Sequence, residues 1–182
     1  MDPKIQSLLK ELEKTRHIYW NISPEVGQFL NDLILENNIK SALEIGSSNG
    51  YSGIWIAEAL SHTNGILHTI ESHKKERYAL GHENYKKAGL LKNINHILGH
   101  APEAIPKDEK YDLAFFDATK YEHPQYFEIV KPLLNDKAII VTDNINSHKE
   151  MFEEYLKIIF EDKDFNSEII NIGTGILISR KI

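Results

Sequence analysis

From residue 41 onward, short apolar runs alternate with longer amphipathic stretches, and few folds accommodate that rhythm. The runs are Ser41 to Ile45, Ile66 to Ile70, Ile94 to Leu98, Leu113 to Phe116 and Ala138 to Thr142. Apolar runs this short, without polar alternation, read as strands buried on both faces of a parallel sheet. Helical patterns around Ser52 to Ser61, Lys74 to Ala88 and Pro124 to Leu134 lie between them and complete the β-α repetition of a doubly wound α/β fold. The tail departs from that repetition. After a helix predicted over Lys149 to Glu161, Glu168 to Ile172 and Ile176 to Arg180 read as strands separated by Gly173-Thr174-Gly175, a hairpin signal. Five alternating strands closed by a hairpin place an antiparallel strand in an otherwise parallel sheet.

Two helices precede the sheet. Ile5, Leu8, Leu9 and Leu12 stand at helical spacing within residues 3 to 17 and predict a helix packed on the body or on a partner. A second begins at Ser23-Pro24-Glu25, where serine caps and proline takes the first turn, and runs towards Asn37. At 182 residues the chain is long enough for one domain of this kind and too short for two, so 1–182 is read as one domain. Within it, residues 1–20 form a helical extension and 21–182 the core.

Composition narrows the function classes. A formal net charge of -6 offers no general basic footprint for nucleic acid and is repelled by anionic membrane. The absence of cysteine removes disulfides, thiolate metal sites and cysteine nucleophiles. No apolar run approaches the roughly 18 residues of a membrane span. Met1-Asp2-Pro3-Lys4 leads into an amphipathic, charged segment rather than an apolar signal core, so the expected compartment is the cytoplasm.

In an open α/β sheet, ligands bind beyond the carboxyl ends of the strands, which makes the residue after each run the informative one. The first strand enters Leu43-Glu44-Ile45-Gly46-Ser47-Ser48-Asn49-Gly50-Tyr51-Ser52, a turn whose glycines admit close backbone approach and whose following helix N-terminus favours a carboxylate. An ordinary β-α turn reads the same way, and the Gly-x-x-x-Gly spacing is not the Gly-x-Gly-x-x-Gly of dinucleotide sites. Glu71, after the second strand, suits the two hydroxyls of a ribose, or is a solvated loop acid. Asp117 ends the fourth strand and Asp143-Asn144 the fifth. Such residues are commonly turn formers, yet neighbouring strand ends gather them into an all-oxygen set suited to Mg²⁺, Mn²⁺ or Ca²⁺. Lys120, three residues beyond Asp117, is either a surface lysine or a general base facing the same cleft. The histidines lack the spacing of a zinc helix motif, and only His100, His123 and His148 adjoin strand ends.

Taken together, residues 20 to 182 resemble the class I methyltransferases that include catechol O-methyltransferase and the small bacterial cation-dependent O-methyltransferases. The resemblance is carried by Asn21-Ile22-Ser23-Pro24-Glu25-Val26-Gly27-Gln28-Phe29-Leu30, the Gly46 to Ser52 turn, Gly99-His100-Ala101, Phe116-Asp117-Ala118-Thr119-Lys120 and Asp143-Asn144, in that order. It implies a Rossmann-like fold with a seven-stranded, mostly parallel sheet, a C-terminal antiparallel hairpin and helices on both faces. It implies S-adenosylmethionine as cofactor. Glu44, Gly46 and Ser52 would line its methionine end, Glu71 hold its ribose, Ser72, His100 and Ala101 flank its adenine, and Ile22 and Asp117 border the same pocket. It further implies a divalent cation, Mg²⁺ or another such as Mn²⁺ or Ca²⁺, on Asp117, Asp143 and Asn144, with Lys120 and Asp117 as the catalytic residues. The partner would be a small hydroxylated acceptor, phenolic or catechol-like, methylated on oxygen.

Three departures modify the expectation. His100 stands where the family has aspartate in Gly-Asp-Ala, Thr119 stands where some relatives carry a bulky side chain, and Asn144 to Lys149 leaves little chain for a lid. An open acceptor site follows, which the N-terminal helix of its own or a neighbouring chain could wall by folding over the cleft. Competing readings are a dinucleotide oxidoreductase, disfavoured by the glycine spacing, a cofactor-binding or interaction module without catalysis, and methylation of a hydroxylated RNA base. The oligomeric state stays open, a homodimer included.

Overall fold

The computed structural model describes residues 1–182, the side chain of Lys74 excepted. Seven strands form one sheet: β1 (Ser41–Ile45), β2 (Ile66–Glu71), β3 (Ile94–Leu98), β4 (Tyr111–Phe116), β5 (Leu134–Thr142), β6 (Phe165–Ile170) and β7 (Ile176–Lys181), in the order β3-β2-β1-β4-β5-β7-β6. The first five pair in parallel, while β7 runs antiparallel to both β5 and β6. This is the sheet expected from the alternating runs and the terminal hairpin. The sequence order reverses between β1 and β4, and that switch point opens a crevice at the carboxyl edge.

Helices cover both faces. On one, α1 (Pro3–Glu13), α3 (Pro24–Glu36), α4 (Tyr51–Thr63) and α5 (Ala79–Ala88) pack over a core that includes Leu9, Leu30, Ile34, Ile54, Leu67 and Phe115. On the other, α6 (His123–Val130) and α7 (Glu153–Glu161) enclose Phe116, Tyr126, Phe127, Phe152 and Tyr155. Helix α4 is buried almost all round, as its weakly amphipathic sequence requires. The stripe of Ile5, Leu8, Leu9 and Leu12 turns inward to the core rather than across the cleft.

The predicted helix over residues 3 to 17 is interrupted. The carbonyl of Leu12, which a continuing helix would need, accepts instead from the Thr15 hydroxyl at 3.0 Å and the Asn21 amide at 3.3 Å. The chain breaks there and re-forms as α2 (Arg16–Tyr19), ending at Trp20 in the left-handed region with φ 54°. No helix among the described residues is long and apolar enough to cross a membrane.

Candidate active site

A cavity of about 830 Å³ opens at the switch point. Backbone hydrogen bonds lace the strand ends that form its floor: Gly46 and Ser47 N–H both donate to Ile70 O, Asp117 N–H to Ile45 O, Gly99 N–H to Glu71 O and Asp143 N–H to Phe116 O. Gly46 has φ +100°, and a side chain there would meet the Asp117 carbonyl oxygen at 2.8 Å, so two strand ends approach more closely than any other residue would permit.

The structure brings most of the residues singled out from sequence to this one cavity. Ile22, Gly46, Ser52, Glu71, Ser72, His100 and Ala101 line it, as do Asp117, Lys120 and Asn144. Glu44 and Asp143 lie behind the wall, both buried. Glu71 is 5% exposed; one oxygen accepts from Ser48 N–H at 2.8 Å and the other from His73 N–H at 2.8 Å, with the His73 ring nitrogen Nδ1 3.1 Å from the latter. A carboxylate offers about four lone-pair directions, so ribose hydroxyls remain compatible with these bonds. His100 does not stand alone: its Nε2 lies 3.3 Å from Glu122, whose other oxygen accepts from the Tyr126 hydroxyl at 2.6 Å.

At the opposite end of the cavity the charges are unbalanced. Lys120 Nζ donates to Asp117 Oδ1 at 3.0 Å. Asp143 Oδ1 accepts from Asn144 N–H at 2.6 Å and from the Thr174 hydroxyl at 2.9 Å, and Thr174 in turn accepts from the Asn144 side-chain amide at 2.9 Å. The hairpin turn therefore positions both residues. Burial, together with the neighbouring Asp143, pushes Asp117 up to about 7 despite Lys120, and burial raises Asp143 as well. Behind them Glu44, fully buried, is pushed up to about 7 by burial.

A bound cation would favour the charged form of these buried carboxyl groups. Among the described residues no three His, Cys, Asp or Glu side chains gather for a metal. Asp117 and Asn144 line the cavity with the buried Asp143 beside them, two carboxylates and one amide whose nitrogen donates to Thr174. Such a hard, sparse oxygen set fits a divalent cation of the Mg²⁺ type, which keeps several waters.

His123 supports this end from below. It is fully buried, its Nδ1–H donates to Thr119 O at 3.0 Å, and burial holds its ring neutral by lowering its pKa to about 4. His148 borders the cavity, as its place after a strand end suggested.

Sequence reasoning missed the mouth. Arg16, His17, Tyr19 and Trp20 line it from α2 and its end, and Arg77 faces them from beyond β2. The Ser48 hydroxyl donates to Tyr19 O at 2.8 Å and ties this segment to the glycine turn. The N-terminal wall is thus built from the chain's own α2, not from the apolar stripe of α1.

A family model described as O-methyltransferase matches residues 2–182. Catechol O-methyltransferase of Niastella koreensis is 32% identical over 139 residues, covering 74% of this chain but 62% of that protein, less than two thirds of its length. Tapetum-specific methyltransferase 1 of Arabidopsis thaliana is 31% identical over 99% of this chain and 88% of its own. Among solved structures, the O-methyltransferase from Bacillus cereus in complex with SAH superposes with a TM-score of 0.87 over 100% of this chain and 92% of that one, at 23% identity. The architecture is the Rossmann-like fold of class I methyltransferases.

Proposed function

This chain belongs to the O-methyltransferase family, and from that premise we propose that it transfers a methyl group from S-adenosylmethionine to a hydroxyl oxygen of a phenolic or catechol-like small molecule, assisted by a divalent cation. One observation carries the reading: a single cavity holds both a glycine turn with a buried acid, Gly46 to Ser52 with Glu71, and a carboxylate-lysine pair, Asp117 with Lys120. When bound, S-adenosylmethionine supplies an electrophilic sulfonium methyl and the cation supplies positive charge that favours an ionised acceptor hydroxyl. The solved relatives with SAH or SAM bound support the donor, and a relative named catechol O-methyltransferase supports the acceptor class.

The chain's own residues then divide the work. Glu71 accepts the ribose hydroxyls, Gly46, Ser52 and Ile22 border the methionine end with Glu44 behind them, and Ser72, His100 and Ala101 flank the adenine. Asp117, Asp143 and Asn144 would hold the cation. Lys120, which donates to Asp117, takes or shares the acceptor's proton once its ammonium has released one to solvent, since only the neutral amine can accept it. His123 keeps the Asp117 to Lys120 loop in place through Thr119. No protein nucleophile is needed, and holding the reactants in line supplies much of the acceleration.

Calorimetric titration tests the donor assignment directly. The expected result is binding of S-adenosylmethionine and its demethylated product at one site. Tight binding of NAD with no response to the methyl donor would refute it.

A further inference from the structure

The cavity's acids already have charged or hydrogen-bonding partners, and its arginines have no carboxylate partner. Glu71 is held by Ser48 and His73, and Asp117 by Lys120. Neither Arg16 nor Arg77 has a carboxylate within ion-pair distance among the described residues. In a chain of net charge -6, two cations left unpaired at the mouth of its large cavity run against the overall balance.

Arg16 is the better placed of the two. Its Nε donates to Asn21 O at 3.0 Å, which fixes the guanidinium plane and leaves both terminal nitrogens without a hydrogen-bond partner among the described residues. It lines the same cavity as Asp117, Lys120 and Asn144. Arg77 lies 4.7 Å over the ring of Trp20, which is 72% exposed on the same N-terminal segment. A planar fork with one arm pinned loses less freedom on binding than a lysine and matches a carboxylate or phosphate through two parallel bonds. Asp117 and Asp143 alone would repel an anion entering the cavity. Arg16 and Lys120 offset that repulsion.

We propose that the acceptor carries an anionic group, a carboxylate or a phosphate, in addition to the hydroxyl that is methylated, and that Arg16 selects for it at the cavity mouth. The inference rests on the O-methyl transfer proposed above and names its acceptor class.

The test uses three acceptors that share one vicinal aromatic diol: a ring carboxylate, its methyl ester and a phosphomonoester. Each is assayed with wild type, R16A and R16K. For wild type, kcat/KM for one or both anionic acceptors exceeds that for the ester by about tenfold or more, and which of the two is preferred identifies the anion. R16A abolishes the preference, and R16K restores only part of it. In calorimetry with the demethylated donor product bound, added salt weakens the anionic acceptor in wild type and much less in R16A. The ester serves as an internal control for misfolding of the variant. Equal use of ester and anions by wild type, or an equal fall for all three in R16A, overturns the inference and leaves the methyl-transfer reading standing. Transfer to none of the three would bring down that reading and this one with it.

Discussion

Glu44→Gln isolates one buried charge beneath the cavity. Glu44 is fully buried, one of its oxygens accepts from the Thr69 hydroxyl, and the other has no partner among the described residues. Burial raises its pKa from 4.5 to about 7, with the nearby Asp117 and Glu71 acting in the same direction. In the unfolded chain the carboxyl ionises near 4.5, whereas in the folded protein it stays protonated up to about 7. The folded state therefore binds the extra proton, and stability falls as pH rises from about 4.5 to about 7, then levels. The climb to about 7 corresponds to about 3 kcal/mol, or about 6 to 12 °C in Tm for a chain of this size. Glutamine keeps the shape without the charge. Melting curves of wild type and Glu44→Gln from pH 5 to 8 should show the variant gaining on wild type by about that amount across the interval, since the other titrating groups are common to both. A difference in Tm that does not change with pH would refute the reasoning and mean that Glu44 is ionised in the folded protein throughout.

Other perturbations separate the remaining roles. Lys120→Ala should lower turnover by about 10² to 10⁴ while leaving donor affinity near wild type, because the proposed proton transfer occurs only during reaction; an unchanged kcat would remove Lys120 from the mechanism. Glu71→Ala should weaken S-adenosylmethionine binding by about 1.5 to 3 kcal/mol through loss of a charged acceptor, and equal affinity in calorimetry would exclude a ribose contact. Leu9→Ala, at a residue 2% exposed, should lower unfolding free energy by about 2 to 5 kcal/mol if α1 is integral to the core. A neutral result in denaturant titration would make the helix a dispensable appendage.

The central parallel strands were legible because burial on both faces writes an unbroken apolar run, as in Ala42-Leu43 and Ile139-Ile140-Val141, whereas β3, read as buried on both faces, lies at the sheet edge and is only partly buried. The ends of other elements were less so. Strand β5 starts at Leu134, four residues before the apolar run, because Leu134 pairs with Tyr111 and the polar Asn135, Asp136 and Lys137 fall in the register shift before Ile139 pairs with Leu113. Strand β6 begins at Phe165 rather than Glu168, since an edge strand exposed on one face carries mixed residues with no run to read. Within the site, residues that follow strands were found from topology alone: Gly46, Glu71, Asp117 and Asn144 must share an edge once the order reverses between β1 and β4. The mouth escaped because Arg16, Tyr19 and Trp20 precede the sheet. The tertiary contact of Ser48 with Tyr19 and the bond from the Asn21 side chain to the Leu12 carbonyl bring them there, and no local spacing encodes either.

The most direct test of the account follows isotopically labelled methyl from S-adenosylmethionine onto a vicinal aromatic diol, before and after exhaustive chelation, with the product located by mass spectrometry. The account predicts label on a hydroxyl oxygen, loss of transfer on chelation and recovery on adding Mg²⁺. Oxygen methylation that persists undiminished without any divalent cation would contradict the role given to Asp117, Asp143 and Asn144, and label appearing on nitrogen or on no acceptor would contradict O-methyl transfer itself.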